Sequence, residues 1–304
     1  MIARLQLLLL AATVLAAGAW LAWAVPAGLA PGWVAAGLVL ALLPAAPVLA
    51  LEFLLLAAFG RDAATPRASA ADLLLAWAGE VAAAWRVFSY DQPLFADAEA
   101  DVPGVGPVGV LLVHGYFCNR GVWRPWLLRL RALGAPCTAL TLEPAFGRID
   151  DWVPQIEQAV ADLQRRTGRA PLVVAHSMGG LAVRAWLAAQ PDAAAADARV
   201  QRVITIATPH QGTWMARFAH TANARQMRIG GRWLAALAAA ETPARRARFI
   251  SFYGHADNMV FPASTATLAD ADNRHLPAVA HVAMVQHPAV WVEVQLQLNR
   301  SDVD

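Results

Sequence analysis

The chain has 304 residues, 58% hydrophobic and only 15% charged, with a formal net charge of +2. So slight a charge gives no electrostatic footprint for a nucleic acid, and the length leaves room for one domain of about 200 residues plus a further segment. Two cysteines, Cys118 and Cys137, are too few for a disulfide framework. They read as buried or loop thiols, with a single bridge open to a domain in an oxidising compartment. All 24 basic residues are arginine, a composition from which no function follows.

The further segment is at the start. Between Arg4 and Glu52 there is no charged residue. Residues 5–25 are long enough to cross a hydrocarbon core of about 30 Å. Residues 33–51 form a second candidate, bent by Pro44 and Pro47. Pro26, Gly28, Pro31 and Gly32 make a turn between the two, and Trp20, Trp23 and Trp33 cluster there as interface-anchoring aromatics would. The pattern predicts two transmembrane helices, a hairpin over residues 1–60. The alternative is a signal peptide cleaved after Ala22-Trp-Ala24, but its apolar core would exceed the usual run of about 7–15 residues. Arg4 precedes the first span, and Arg61 and Arg67 follow the second. The positive-inside rule then puts both ends, and the rest of the chain, on the cytoplasmic side of the inner membrane.

Residues 61–105 read as a linker with one helix. Ser69 and Asp72 form a capping box, and the helix runs to about Val87 with Leu73, Leu74, Trp77, Val81 and Trp85 on one face. That face could lie on a membrane surface or pack on the domain. From residue 106 onward short apolar runs alternate with amphipathic ones. Strands are expected over 108–113, 135–142, 172–175, 202–207 and 248–254, and helices over 151–166 and from about Pro288. Such alternation implies a mostly parallel sheet flanked by helices.

The third of these strands carries the sharpest signal. Pro171-Leu-Val-Val-Ala-His-Ser-Met-Gly-Gly180 is a strand, a tight turn with Ser177 at its apex, and the start of a helix. Ala175 and Gly179, two residues either side of the serine, are small enough for strand and helix to approach. The Met178 backbone N–H then points from a helix N-terminus to where an oxyanion would form. His114-Gly115 ends the 108–113 strand, and the N–H of Tyr116 is the second donor. A serine nucleophile needs a base, and the base an orienting acid. Asp257 lies just past a strand end, where open parallel sheets collect functional groups, and His281 lies on the loop before the last helix. His287 is the rival base, and Asp270 and Asp272 are the rival acids. His176 is expected to point away from the serine, and His210 to be structural. No His/Cys spacing suggests a metal and no Gly-rich loop a nucleotide, so no cofactor is expected.

Taken together, His114-Gly115, Ala-His-Ser-Met-Gly-Gly at 175–180, Thr208-Pro-His-Gln-Gly-Thr213, Asp257 and His281-Val-Ala-Met resemble the bacterial lipases and esterases of the α/β-hydrolase superfamily, close to the small triacylglycerol-lipase-like group. The resemblance covers about residues 107–298. Two departures are Ala175, where glycine is commoner, and a bulky stretch over 114–123. It implies an α/β-hydrolase fold over 106–304 with the triad order Ser, Asp, His. Residues 213–246 would be a helical, lid-like insertion, with Met215, Phe218, Met227, Trp233 and Leu234 as candidates to touch a substrate chain. The expected activity is that of a membrane-anchored serine hydrolase acting on carboxylic, lipid acyl esters. The same triad would serve a phospholipase, thioesterase or acyltransferase, and a non-catalytic membrane scaffold is the alternative of another class. The expected partners are a lipid or other ester substrate and the bilayer.

Overall fold

Six short strands lie side by side, all parallel, in the order β2-β1-β3-β4-β5-β6. They are β1 (Val110–Val113), β2 (Cys137–Ala139), β3 (Leu172–His176), β4 (Arg202–Ile206), β5 (Phe249–Tyr253) and β6 (Asp272–His275). These come from a computed structural model that describes residues 1–104 and 108–300. The inner strands are unbroken apolar runs because a parallel sheet is covered on both faces. Their side chains divide by the strand's period of two. Leu111, Val113, Val173 and Ala175 face one core with Trp152, Ile156, Val160 and Trp186. Val110, Leu112, Leu172 and Val174 face the other with Trp123, Trp126, Val290 and Val294.

Six helices matter for the site. At the N-terminus are α1 (Ile2–Ala24), α2 (Pro31–Leu42), α3 (Ala45–Phe59) and α4 (Ala70–Trp85); within the domain are α5 (Val153–Thr167) and α6 (Met178–Ala188). The amphipathic α5 buries Ile156, Val160 and Leu163 and ends on Gly168 at φ 69°, a left-handed cap. The capping box of α4 forms as expected, with each of Ser69 and Asp72 bonding the other's backbone N–H.

The N-terminal segment departs from a simple hairpin. α1 is the one described helix that is by itself long and apolar enough to cross a membrane. It pairs with α2, to which Trp20 donates a hydrogen bond at the Val34 carbonyl. The expected second span, 33–51, is not one rod: α2 and α3 meet at 74° across Leu43 and Pro44, so at most they make one broken span. Proline lacks the amide that would continue the ladder, and its ring clashes with the preceding turn. Beyond the bend α3 turns onto the domain, where Phe53 and Leu56 pack with Ala76, Ala256, Phe261 and Ala280.

Two further differences concern polarity. The face that α4 buries is Ala76, Glu80 and Ala84, spaced by one turn. The bulky Leu74 and Leu75 are 64% and 67% exposed, and Trp85 points outward too. Small residues let α4 approach closely, which a leucine stripe would prevent. The strand β6, Asp-Asn-Arg-His, was not expected at all. It lies at the sheet edge, where exposure removes the need for an apolar run.

Candidate active site

The turn between β3 and α6 holds Ser177 at φ 54° and ψ −129°, a conformation that costs a non-glycine residue about 1–3 kcal/mol. The surroundings enforce it. The Ser177 N–H donates to the Ile206 carbonyl at 2.7 Å, and the Thr208 hydroxyl donates to the Ser177 carbonyl at 2.9 Å. A Cβ on Gly179 would stand 2.5 Å from the His114 carbonyl oxygen, and one on Gly115 would stand 2.7 Å from the Ser177 Cβ. Helix and loop therefore close on the serine only because both positions lack a side chain.

The tertiary fold brings three predicted residues into one hydrogen-bonded line. The Ser177 hydroxyl lies 3.0 Å from His281 Nε2, and His281 Nδ1 lies 3.0 Å from each carboxylate oxygen of Asp257. Asp257 Oδ1 also accepts the N–H groups of Met259 and Val260 at 2.8 Å, which fixes the carboxylate. All three side chains are buried. With Nδ1–H donating to Asp257, Nε2 is the lone-pair nitrogen that faces the serine hydroxyl as a hydrogen-bond acceptor. Burial alone would push the His281 pKa down. The Asp257 carboxylate, assisted by Glu80 and Glu52, outweighs it, and the net shift is upward.

The β1 loop is tied down by His114. Its Nε2 accepts the Leu142 N–H at 2.9 Å, so Nδ1 carries the proton and donates to the Gly115 carbonyl at 2.8 Å. Burial holds this ring neutral, with its pKa lowered to about 4. Among the described residues, neither the Tyr116 N–H nor the Met178 N–H donates to another protein group. The latter belongs to the first residue of α6, where helical N–H groups lack intrahelical partners.

Ser177 and His281 open on a cavity of about 320 Å³, near the lower end for small-molecule sites. Its lining includes Tyr116, Phe117 and Met227, but also Leu49 and Glu52 of α3 and Glu80 and Ala84 of α4. These last four were not singled out from the sequence. A glutamate in an apolar helix gives no sign of which loop it will meet. Of the insertion's five candidates only Met227 reaches the cavity. Leu234 is core, Met215 packs beside α3 and α4, Phe218 is exposed, and Trp233 donates to Asp150.

The rivals are placed elsewhere. Asp270 pairs with Arg246 and Asp272 with Arg274. His287 Nδ1 accepts the Ala289 N–H at the start of the last helix, Pro288–Arg300. His210 is buried against the Thr205 hydroxyl. His176 differs from expectation: it lines the cavity, its ring centroid lies 4.8 Å from that of His281, and its Nε2 donates to the His281 carbonyl at 3.3 Å. Burial keeps it neutral. Cys118 and Cys137 are free and buried, with thiol pKa values pushed up to about 12 and about 11.

Comparison with known proteins agrees with this arrangement at the level of fold. No curated protein matches the sequence. Among solved structures, the mature lipase BlEst2 of Bacillus licheniformis is similar at 16% identity, with a TM-score of 0.55 over 64% of this chain and 94% of that one. Aspergillus fumigatus lipase B is similar at 19% identity, with a TM-score of 0.53 over 60% of this chain and 50% of that one. Residues 110–296 match the alpha/beta hydrolase family, and the chain is a member of it.

Proposed function

We propose that the protein is a serine ester hydrolase of the lipase or carboxylesterase type, with residues 106–304 as its catalytic domain. The reading rests above all on the Ser177–His281–Asp257 line at the mouth of a mainly apolar cavity. His281 takes the proton of the Ser177 hydroxyl as its oxygen attacks an ester carbonyl. The N–H groups of Tyr116 and Met178 receive the oxyanion. His281 gives its proton to the departing alcohol, an acyl-Ser177 ester remains, and water cleaves it by the same path in reverse. Asp257 holds the imidazole in the reactive tautomer throughout.

The substrate we infer is a lipid acyl ester met at a bilayer. α1 leaves Leu8, Leu15 and Trp23 exposed, and α4 turns Leu74 and Leu75 outward, more apolar surface than water favours. α1, with α2 returning against it as far as the 74° bend, would anchor the chain in the inner membrane. Arg4, Arg61 and Arg67 would hold the domain on the cytoplasmic side.

A fluorophosphonate probe tests the chemistry, since only an activated serine reacts with it. Wild-type protein is labelled at Ser177 and hydrolyses acyl esters. Ser177→Ala loses labelling and about 10⁴- to 10⁶-fold in turnover with its fold intact. Full labelling of the alanine variant overturns the assignment, and a panel of esters across acyl lengths then defines the substrate.

A further inference from the structure

Of three consecutive backbone N–H groups, those of Val282 and Ala283 are held from outside the 110–296 hydrolase region, and that of His281 is held by Asn258, itself bonded to a residue outside it. The Val282 N–H donates to both carboxylate oxygens of Glu80, at 2.9 and 3.0 Å, and the Ala283 N–H donates to Glu80 Oε2 at 3.0 Å. The His281 N–H donates to Asn258 Oδ1 at 3.3 Å, and Asn258 Nδ2 in turn donates to Glu52 Oε2 at 2.6 Å. Glu80 belongs to α4 and Glu52 to α3. Glu80 is 1% exposed, the middle member of the stripe that α4 buries, and among the described residues no arginine pairs with it. A buried carboxylate without a cation is costly. Here it serves only the amides of the loop that carries the base.

We propose that Glu80, seconded by Glu52 through Asn258, is a positioning residue for the acyl transfer: it fixes the 281–283 backbone so that His281 Nε2 faces Ser177. The proposal rests on the triad reading above. It makes the N-terminal helices part of the active site rather than a separable anchor, since removing them would strip these supports from the base loop and two walls from the cavity.

The ionisable groups around Glu80 are Glu52 on α3, Asp257 and His281 on their loops, His176 on the elbow and Cys118 on the β1 loop. Burial keeps His176 neutral and Cys118 protonated. Burial also raises the Glu80 pKa to about 7, opposed by the two loop amides and by His281. Ionised Glu80 in turn favours protonated His281.

The full-length protein in detergent micelles, with Glu80→Gln, Glu80→Asp and Glu80→Ala, decides the matter. Glutamine matches the shape of the protonated acid, so Glu80→Gln folds. It offers one acceptor oxygen instead of two and removes the anion. We expect kcat to fall about tenfold and KM to change less than about threefold. The acid limb of kcat/KM moves to lower pH, because His281 loses an anion that raised its pKa. Glu80→Asp, which keeps the charge, moves the limb back. Glu80→Ala leaves the loop amides unpaired and loses more activity than Glu80→Gln at an equal folded fraction.

An unmoved acid limb in Glu80→Gln, or losses that only track the folded fraction, overturns the proposal. The fluorophosphonate result keeps the two readings apart. A wild-type enzyme labelled at Ser177 with an indifferent Glu80→Gln sinks the positioning role alone, whereas an unlabelled wild type removes both.

Discussion

The segment over 213–246 is tied to α6 by a buried ion pair, and its worth can be measured. Arg184 lies on α6. Its Nε and Nη2 reach Oε1 and Oε2 of Glu241, each at 2.7 Å, with the two side chains 1% and 0% exposed. Arg184 Nη1 also donates to the His210 carbonyl at 2.8 Å. Glu241→Ala strands the guanidinium in the core with a single acceptor, which costs about 3–5 kcal/mol. For a domain of about 190 residues, with an unfolding entropy of about 2.1 cal/mol/K per residue, that lowers Tm by about 8–12 °C. The double variant Arg184→Met with Glu241→Leu removes both charges and keeps apolar volume, so it should recover to within about 2 kcal/mol of wild type. Thermal unfolding followed by near-ultraviolet circular dichroism in one detergent, over the four corners of the cycle, gives the coupling energy. A cost below about 1 kcal/mol for Glu241→Ala would refute the reasoning. It would mean that water reaches the pair in solution.

Other outcomes follow from the same geometry. His281→Ala should lose activity as completely as Ser177→Ala, because the two act as one unit. His287→Ala should keep turnover, and the opposite result would move the base. Gly115→Ala puts a methyl 2.7 Å from the Ser177 Cβ, displaces the loop bearing Tyr116, and should cost at least about 10²-fold in kcat without unfolding the protein. Glu80 and His281 both have raised pKa values, so at these two groups the native state binds more protons than the unfolded chain. Their contribution is present at acid pH and is lost as pH rises through the folded values. The buried His114, His176 and His210, held neutral by desolvation, act the other way and outnumber them, so Tm should rise from about pH 5 to about pH 7, and Glu80→Gln should steepen that rise. Finally, the protein should stay with membranes through high-salt and alkaline washing. A fluorescent reporter after Asp304 should work and a phosphatase reporter should stay silent, and an active phosphatase would place the domain outside.

The sequence by itself carried the features written in local pattern. The buried strands are short apolar runs, the elbow is a serine between small residues, and Asp257 and His281 stand where this topology sets functional groups. Each can be read within a dozen residues, because strand period, turn sterics and chain order are local constraints. Only the tertiary structure decided the rest. Pro44 and Pro47 showed that residues 33–51 would bend, but not that α3 would turn by 74° and settle over the serine. Glu80 looked like a polar interruption of an apolar helix, yet it is the group that accepts two amides of the base loop, 202 and 203 residues away in sequence. Polar β6 carried no strand signal, because an edge strand needs no burial. A side chain's own neighbours fix its helix or strand, whereas the partner of a buried charge is chosen by the whole fold, where an unpaired carboxylate or amide costs too much to leave alone.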